Sequence, residues 1–363
     1  MFLDGILKRS VAILKGYQTP WGAFPAAPSF PPYEYVWLRD GTFIAYALDL
    51  AGEGEAAGAF YTFMAETIVK HGHKVHRALR AAEESRPLGD EDYLHTRYTL
   101  LGEEGREPWG NFQLDGYGTY LWGLASHLGH QGRADRPYRE AISLVTAYLC
   151  ALWDRPCLDC WEEWGEYRHP STWAAIYGGL RAALPWLEPS WEEKVLSVLD
   201  DLPAKLRAEF SREGHFVKFA GRPGVDANLL WLAVPFGVCS WDDPTFRTTV
   251  DKIEEDLLGG GLKRYKEDTY YGGGEWVLLT AWLAWYYRLR GREREARDLL
   301  EWVAAQADEE GRLPEQVPHN LNSPEHYAYW VRRWGPVARP LLWSHAMYII
   351  AATPGEPGSW SGF

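Results

Sequence analysis

Residues 264–290 read RYKEDTYYGGGEWVLLTAWLAWYYRLR, and the change of character inside this stretch decides the fold. The first part, RYKEDTYYGGGEW (264–276), is charged, aromatic and broken by glycines, the composition of a loop. The rest is apolar without alternation and without a breaker, so a helix is expected over 274–290. The plain linker RGRER (290–294) follows, and a second helix is expected over 293–308. The unit is therefore a helical hairpin with one elaborate end and one plain end.

Working outward, the same unit recurs. Helices are expected near 3–15, 40–51, 54–71, 116–129, 136–153, 171–184, 190–210, 226–234, 245–257, 274–290, 293–308 and 342–352, twelve in all, with few strand signals between them. Linkers before the odd-numbered helices are mostly short and plain, as in AGEGE (51–55). Those before the even-numbered helices carry the unusual residues: YEYVWLRDG (33–41), WGNFQLDG (109–116), CWEEWGEYRHP (160–170), RPGVD (222–226), RYKEDTYYGGGEW (264–276) and LPEQVPHN (313–320). No fixed-period repeat and no low-complexity linker divides the chain. The expectation is all-α: six hairpins closed into an (α/α)6 barrel, one domain over 1–363. With the even helices inside, all six elaborate loops meet at one end around one pocket, the usual place for function on a rigid scaffold.

Composition narrows what that pocket holds. With 46% hydrophobic and 24% charged residues the chain is an ordinary globular one. A formal net charge of -13 argues against nucleic acid and against an anionic membrane surface, which need a basic face, while a neutral ligand is indifferent to it. Four cysteines (Cys150, Cys157, Cys160, Cys239) make no disulfide framework. Cys157 and Cys160 form a C-x-x-C without a second pair, and His169 is a poor further ligand, so neither metal nor redox use is expected. The N-terminus MFLDGILKRSVAILKGYQ reads as an amphipathic helix rather than a signal peptide, and no run of eighteen apolar residues exists, which makes the cytoplasm the expected location. Three methionines and four asparagines hint at a thermophilic source. Oligomeric state is not legible. Of the 20 tryptophans, most are expected in the helical core and some as flat faces for sugar rings.

Cleavage of a glycosidic bond needs a protonated carboxyl at the leaving oxygen and a second carboxylate to activate water or attack the sugar. WEEWGE offers Glu162, Glu163 and Glu166, and LPEQ offers Glu315. Trp161 beside Glu162 supplies an apolar wall and Glu163 a like charge, both of which raise a carboxyl pKa. Read alone, the Glu pair is more often a first-turn charge at a helix start, and Glu315 is equally a loop carboxylate. Arg39–Asp40, after Tyr33, Tyr35 and Trp37, reads either as a helix cap or as a fork that grips sugar hydroxyls. Arg264 has the same two readings.

Taken in order, YEYVWLRDG, WGNFQLDG, WEEW, RYKEDTYYGGGEW, PEQ and PLLWSHA resemble glycoside hydrolase family 15, the glucoamylases and their relatives, from about Leu7 to Ala351. The resemblance implies Glu162 as general acid and Glu315 as general base. It implies sugar contacts at Tyr33, Arg39 and Asp40, a flanking role for Trp109, site-lining roles for Trp161 and Glu163, and hydroxyl binding by Arg264; Trp37 and Gln316 are counted with them. The implied activity is an inverting, exo-acting hydrolase of short isomalto- or malto-type α-gluco-oligosaccharides, with a family-15-type trehalase as runner-up. From its ends the chain is expected to lack both an N-terminal β-sandwich and a starch-binding module, while HNLNSPEHYAYWVRRWGPVARP (319–340) is expected to shape the acceptor side. No cofactor is implied, since carboxylates perform this chemistry without a metal. A non-catalytic sugar-sensing module is disfavoured because both glutamates are present, and a phosphorylase because it would not need Glu315.

Overall fold

The computed structural model describes residues 2–132 and 136–353; the expected 1–363 unit also covers residues 1, 133–135 and 354–363, which lie outside the described residues. Thirteen α-helices occur among the described residues. Six segments form an inner ring: α2 (Leu38–Leu50), α5 (Asp115–Gln131), α7 (Pro170–Ala183), a 3₁₀ segment (Ala227–Leu232), α10 (Val277–Leu289) and α13 (Leu342–Ala352). Each packs on the next, and α13 packs back on α2, which closes the circle. The outer ring is α1 (Phe2–Tyr17), α3 (Gly54–Lys70), α6 (Arg139–Leu152), α8 (Pro189–Phe210), α9 (Pro244–Leu257) and α11 (Glu293–Ala305). This is the expected (α/α)6 barrel.

The two rings differ as their sequences require. In α10 every residue from Val277 to Tyr287 is buried, and in α13 every residue from Leu342 to Ala351. Outer α8 and α11 bury only single stripes (Val195, Val198, Leu202, Leu206 and Phe210; Ala296, Leu299, Leu300, Val303 and Ala304) and turn charge to solvent. Aromatic rings plug the barrel: Phe43 lies 4.8 Å from Trp282 and 5.7 Å from Trp343, and Trp231 stacks on Trp282 at 5.2 Å. Contact between α5 and α7 requires glycine, since a Cβ on Gly118 would stand 2.4 Å from the Ala175 carbonyl.

Three features depart from the expected elements. The eighth helix is only the six-residue 3₁₀ segment, capped by Asp226, whose side chain accepts from Asn228 N; Pro235, which has no N–H, follows closely. Two unexpected helices occur, α4 (Gly72–Glu83) and α12 (Pro324–Trp334). No residue of α12 is fully buried; its apolar stripe, Tyr327, Trp330, Val331 and Trp334 at helical spacing, packs half-buried against the core. The tenth helix starts at Val277 rather than 274, because Gly272 and Gly273 take positive φ and Glu275–Trp276 enter a strand pair.

Short antiparallel pairs tie the elaborate loops together. β1 (Val36–Trp37) pairs with β2 (Arg97–Tyr98), placing Trp37 opposite Arg97. β3 (Ser211–Arg212) pairs with β4 (His215–Phe216). β5 (Glu275–Trp276) pairs with β6 (Gln316–Val317), so the loop before α10 and the loop carrying Glu315 share one ribbon.

Candidate active site

Five of the six elaborate loops line a cavity of about 400 Å³, with the carboxylates Asp40, Glu162, Glu163 and Glu315 among its walls; the sixth, RPGVD (222–226), supplies no lining residue and instead braces Trp161 through Asp226. Tyr33, Trp37, Arg39, Trp109, Trp161 and Arg264 also line the cavity. Of the expected site residues, Gln316 alone is absent from the lining. Its carbonyl oxygen accepts from Gly274 N and its amide donates to Tyr270 O, so it braces the β5–β6 ribbon instead of facing a ligand.

The first turn of α2 supplies Arg39 and Asp40, both almost fully buried. Arg39 Nη1 donates to Asp115 Oδ2 at 3.0 Å and to Gln113 Oε1 at 3.3 Å, so α5 and the loop before it aim the guanidinium. Arg39 Nε and Asp40 Oδ2 form no hydrogen bond within the protein. They face each other as an ion pair at 3.5 Å, too long for a good hydrogen bond, so each keeps bonding capacity for a ligand. Burial pushes the Asp40 carboxyl up to about 6 against the opposing pull of Arg39.

Glu162 sits in a strained loop, with φ +67, the left-handed region that non-glycine residues enter at a cost. Asp159 compensates: its Oδ1 accepts from Trp161 N at 2.9 Å and from Glu163 N at 3.0 Å, and its carbonyl accepts from Glu162 N. Glu162 Oε1 accepts the indole N–H of Trp37 at 2.6 Å. Burial raises the Glu162 pKa, while Arg39 and the Trp37 bond pull the other way.

Glu163 faces the opposite partners. It accepts from Tyr265 OH at 2.6 Å and pairs with Arg264 Nη2 at 3.4 Å. Arg264 is itself held by Asp268, with Nε 2.7 Å from Oδ2. Its guanidinium is shared between two carboxylates and four aromatic rings, those of Trp161, Tyr265, Tyr270 and Trp276.

Glu315 leads into β6, its backbone N donating to Ala338 O and its carbonyl accepting from Val277 N. Its side chain is buried and one carboxyl oxygen, Oε2, has no partner in the protein. Burial pushes the pKa up to about 8; Arg264 and a hydrogen bond from Tyr33 oppose the shift. Tyr33 OH in turn lies 2.7 Å from Tyr270 OH.

The walls are aromatic. Trp109 stacks on the Arg97 guanidinium at 4.0 Å, and the Tyr35 ring covers the other face of that cation, also at 4.0 Å. α12 contributes Trp330 and Trp334, the former 5.1 Å from Tyr270. Tyr270, Trp276 and Trp343, present in the quoted motifs without a stated role, complete the lining. Gln113, Asp115, Asp159 and Asp268, the residues that aim the site, were not legible, since their partners become neighbours only through the fold.

Among the described residues no group of three or more His, Cys, Asp or Glu side chains could hold a metal ion. Cys157 and Cys160 are buried thiols; desolvation pushes Cys157 up to about 12 and Cys160 well up, and Cys160 Sγ accepts from Asn228 Nδ2. Both belong to the hydrophobic core. No helix among the described residues is long and apolar enough to cross a membrane.

A family model described as glycosyl hydrolases family 15 matches residues 2–353, and the chain belongs to that family. It is a glycoside hydrolase. An isomaltose glucohydrolase of Kribbella flavida is 40% identical over 355 residues, 96% of this chain and 92% of that one. A glycosidase solved in complex with glucose superposes with a TM-score of 0.93 at 40% identity, covering 97% of this chain and 96% of the other. A trehalase of Thermoplasma volcanium is 25% identical over 86% of this chain, which spans 54% of the trehalase.

Proposed function

We propose that this protein hydrolyses short α-gluco-oligosaccharides from the non-reducing end, with Glu162 as general acid, Glu315 as general base and inversion at the anomeric carbon. One observation carries the reading: a single cavity receives the buried Glu315 carboxyl and the half-buried Glu162 carboxyl together with Arg39 Nε and Asp40 Oδ2, which have no hydrogen bond within the protein. Arg39 and Asp40 hold the glucose left of the cleaved bond through charge-assisted hydrogen bonds. Glu162 protonates the leaving oxygen while Glu315 takes a proton from water on the other face of the sugar. Burial raises both carboxyls, that of Glu315 up to about 8, so the empty site favours the proton on Glu315; the assigned roles require the bound substrate and water to leave Glu315 ionised and Glu162 protonated.

An isomalto-type substrate is favoured by the 40% identical isomaltose glucohydrolase. The size of the cavity, about 400 Å³ with Trp330 and Trp334 of α12 on its wall, suits a short oligosaccharide better than a polymer chain. Four free thiols agree with a reducing compartment such as the cytoplasm. Glucose release should be measured on isomaltose, maltose, panose, trehalose and soluble starch, with and without phosphate. Isomaltose or panose is expected to lead, without any phosphate requirement. Trehalose in first place would move the protein to the trehalase reading, which the Thermoplasma volcanium relative keeps in view.

A further inference from the structure

Behind the acid loop, on the side away from the cavity, lies a buried charge cluster that no step above uses. Lys218, in the segment between β4 and the 3₁₀ segment, is 2% exposed. Its Nζ donates to Asp159 Oδ2 at 3.0 Å and to Asp226 Oδ2 at 2.5 Å. The same ammonium lies 4.1 Å from the centre of the Tyr265 ring.

Each of these neighbours reaches a residue beside Glu162. Asp159 Oδ1 receives the backbone N–H groups of Trp161 and Glu163. Asp226 accepts the Trp161 indole N–H, with Nε1 3.0 Å from Oδ2 and 3.2 Å from Oδ1. Tyr265 donates its hydroxyl to the Glu163 carboxylate. The residues on both sides of Glu162 are thus fastened, by three separate routes, to one ammonium group. Without it, two buried aspartates would face each other unpaired, a strongly unfavourable arrangement. A left-handed residue persists only where its surroundings over-determine it, and Glu162 with φ +67 is flanked by these three tethers.

We infer that Lys218 is a positioning residue for the general acid: bridging Asp159 and Asp226, it holds the 159–164 loop in the conformation that presents the Glu162 carboxyl to the leaving oxygen. This rests on the proposed role of Glu162. The glucose-holding groups Arg39 and Asp40 hang from α2 and α5 and are independent of the cluster.

The inference predicts a defect selective for leaving groups that need a proton. Isomaltose must receive one from Glu162 as its bond breaks. α-Glucosyl fluoride departs as a stable fluoride anion and needs little proton donation, though it still requires Glu315 and the bound glucose geometry. In Lys218→Met, kcat for isomaltose is expected to fall by about 10²-fold, the scale of a general-acid contribution, with little change in KM, while hydrolysis of α-glucosyl fluoride stays within a few fold of wild type. Lys218→Arg, which keeps the charge, should restore much of the isomaltose rate. Equal losses on both substrates would show a general structural role and overturn the inference, as would no loss on either. If Lys218→Met yields no folded protein, Asp226→Asn, which keeps side-chain shape but weakens the bridge, decides on the same two substrates with the same outcomes. A wild-type protein that hydrolyses neither substrate would remove the functional reading itself, and the inference with it.

Discussion

Trp37 donates its indole N–H to the Glu162 carboxyl at 2.6 Å, joining β1 to a loop 125 residues further along the chain. A hydrogen bond given to a carboxylate favours its charged form and so lowers its pKa. Here it moderates the upward push of burial on Glu162. Replacing Trp37 by Phe deletes the donor and keeps most of the ring. The Glu162 pKa should then rise, and the alkaline limb of the kcat/KM profile, where the acid loses its proton, should move to higher pH. An alkaline limb that stays in place or moves down would separate Trp37 from the proton affinity of Glu162.

The two carboxyls should behave as a pair. Glu162→Gln removes the proton donor and Glu315→Gln the water activator, and each should lower kcat by about 10²–10⁴-fold with sugar binding largely kept. Both pKa values are raised by burial, that of Glu315 up to about 8. A base role requires Glu315 ionised, so activity is expected to be gained as pH rises past the ionisation of Glu315, and the acidic limb should lie above the ordinary value of 4.5. Arg264 is the largest influence opposing the rise at Glu315, so Arg264→Gln should push that limb higher still. Kinetics from pH 3 to 10 check both points; a wild-type acidic limb below about pH 4 would contradict them.

Arg39 should matter for every substrate alike. A charge-assisted hydrogen bond contributes about 1.5–3 kcal/mol, so Arg39→Ala should cost on the order of 10²-fold in kcat/KM or more. The loss should be equal for isomaltose, maltose and panose, because all place the same glucose in that subsite. A loss confined to one linkage would put Arg39 on the acceptor side.

Much of this site was legible as local pattern. Arg39–Asp40 and the WEE and PEQ carboxylates lie in short motifs, and the alternation of plain and elaborate linkers gave the ring and its open end. The partners were not legible, because Arg39–Asp115, Lys218–Asp159 and Trp37–Glu162 are separated by 76, 59 and 125 residues. Nothing near Lys218 in the chain distinguishes it from a surface lysine. Gln316, counted among the sugar contacts, is instead turned away from the cavity: side chains alternate across a strand, and its amide points into the ribbon. α12 was legible though not expected: Tyr327, Trp330, Val331 and Trp334 stand at helical spacing after Ser323–Pro324, within the aromatic 319–340 segment expected only to shape the acceptor side.

That helix should set chain-length preference. Trp330 and Trp334 lie on the cavity wall beside Tyr270, and Trp330 Nε1 donates to Thr269 O at 3.1 Å, fixing α12 over the loop before α10. Trp334→Ala should open the acceptor side and raise kcat/KM for maltotetraose relative to isomaltose several-fold. An unchanged ratio would place the length barrier elsewhere.

The central claim is that Glu315 activates water and does not bond to the sugar. An inverting pair stands roughly 6.5–9.5 Å apart to admit that water, against about 5 Å for a nucleophile. Glu162 precedes α7 and Glu315 precedes α13, and in the ring α2 and α5 separate these helices on one side and the 3₁₀ segment and α10 on the other. Their starting points are therefore opposite in the barrel, which suits carboxyls that flank a sugar and a water. Proton NMR of the first glucose released, recorded before mutarotation, tests this directly. The account predicts the β-anomer signal first, with α-glucose growing in later. An initial α-anomer would mean retention, and Glu315 would have to be a nucleophile.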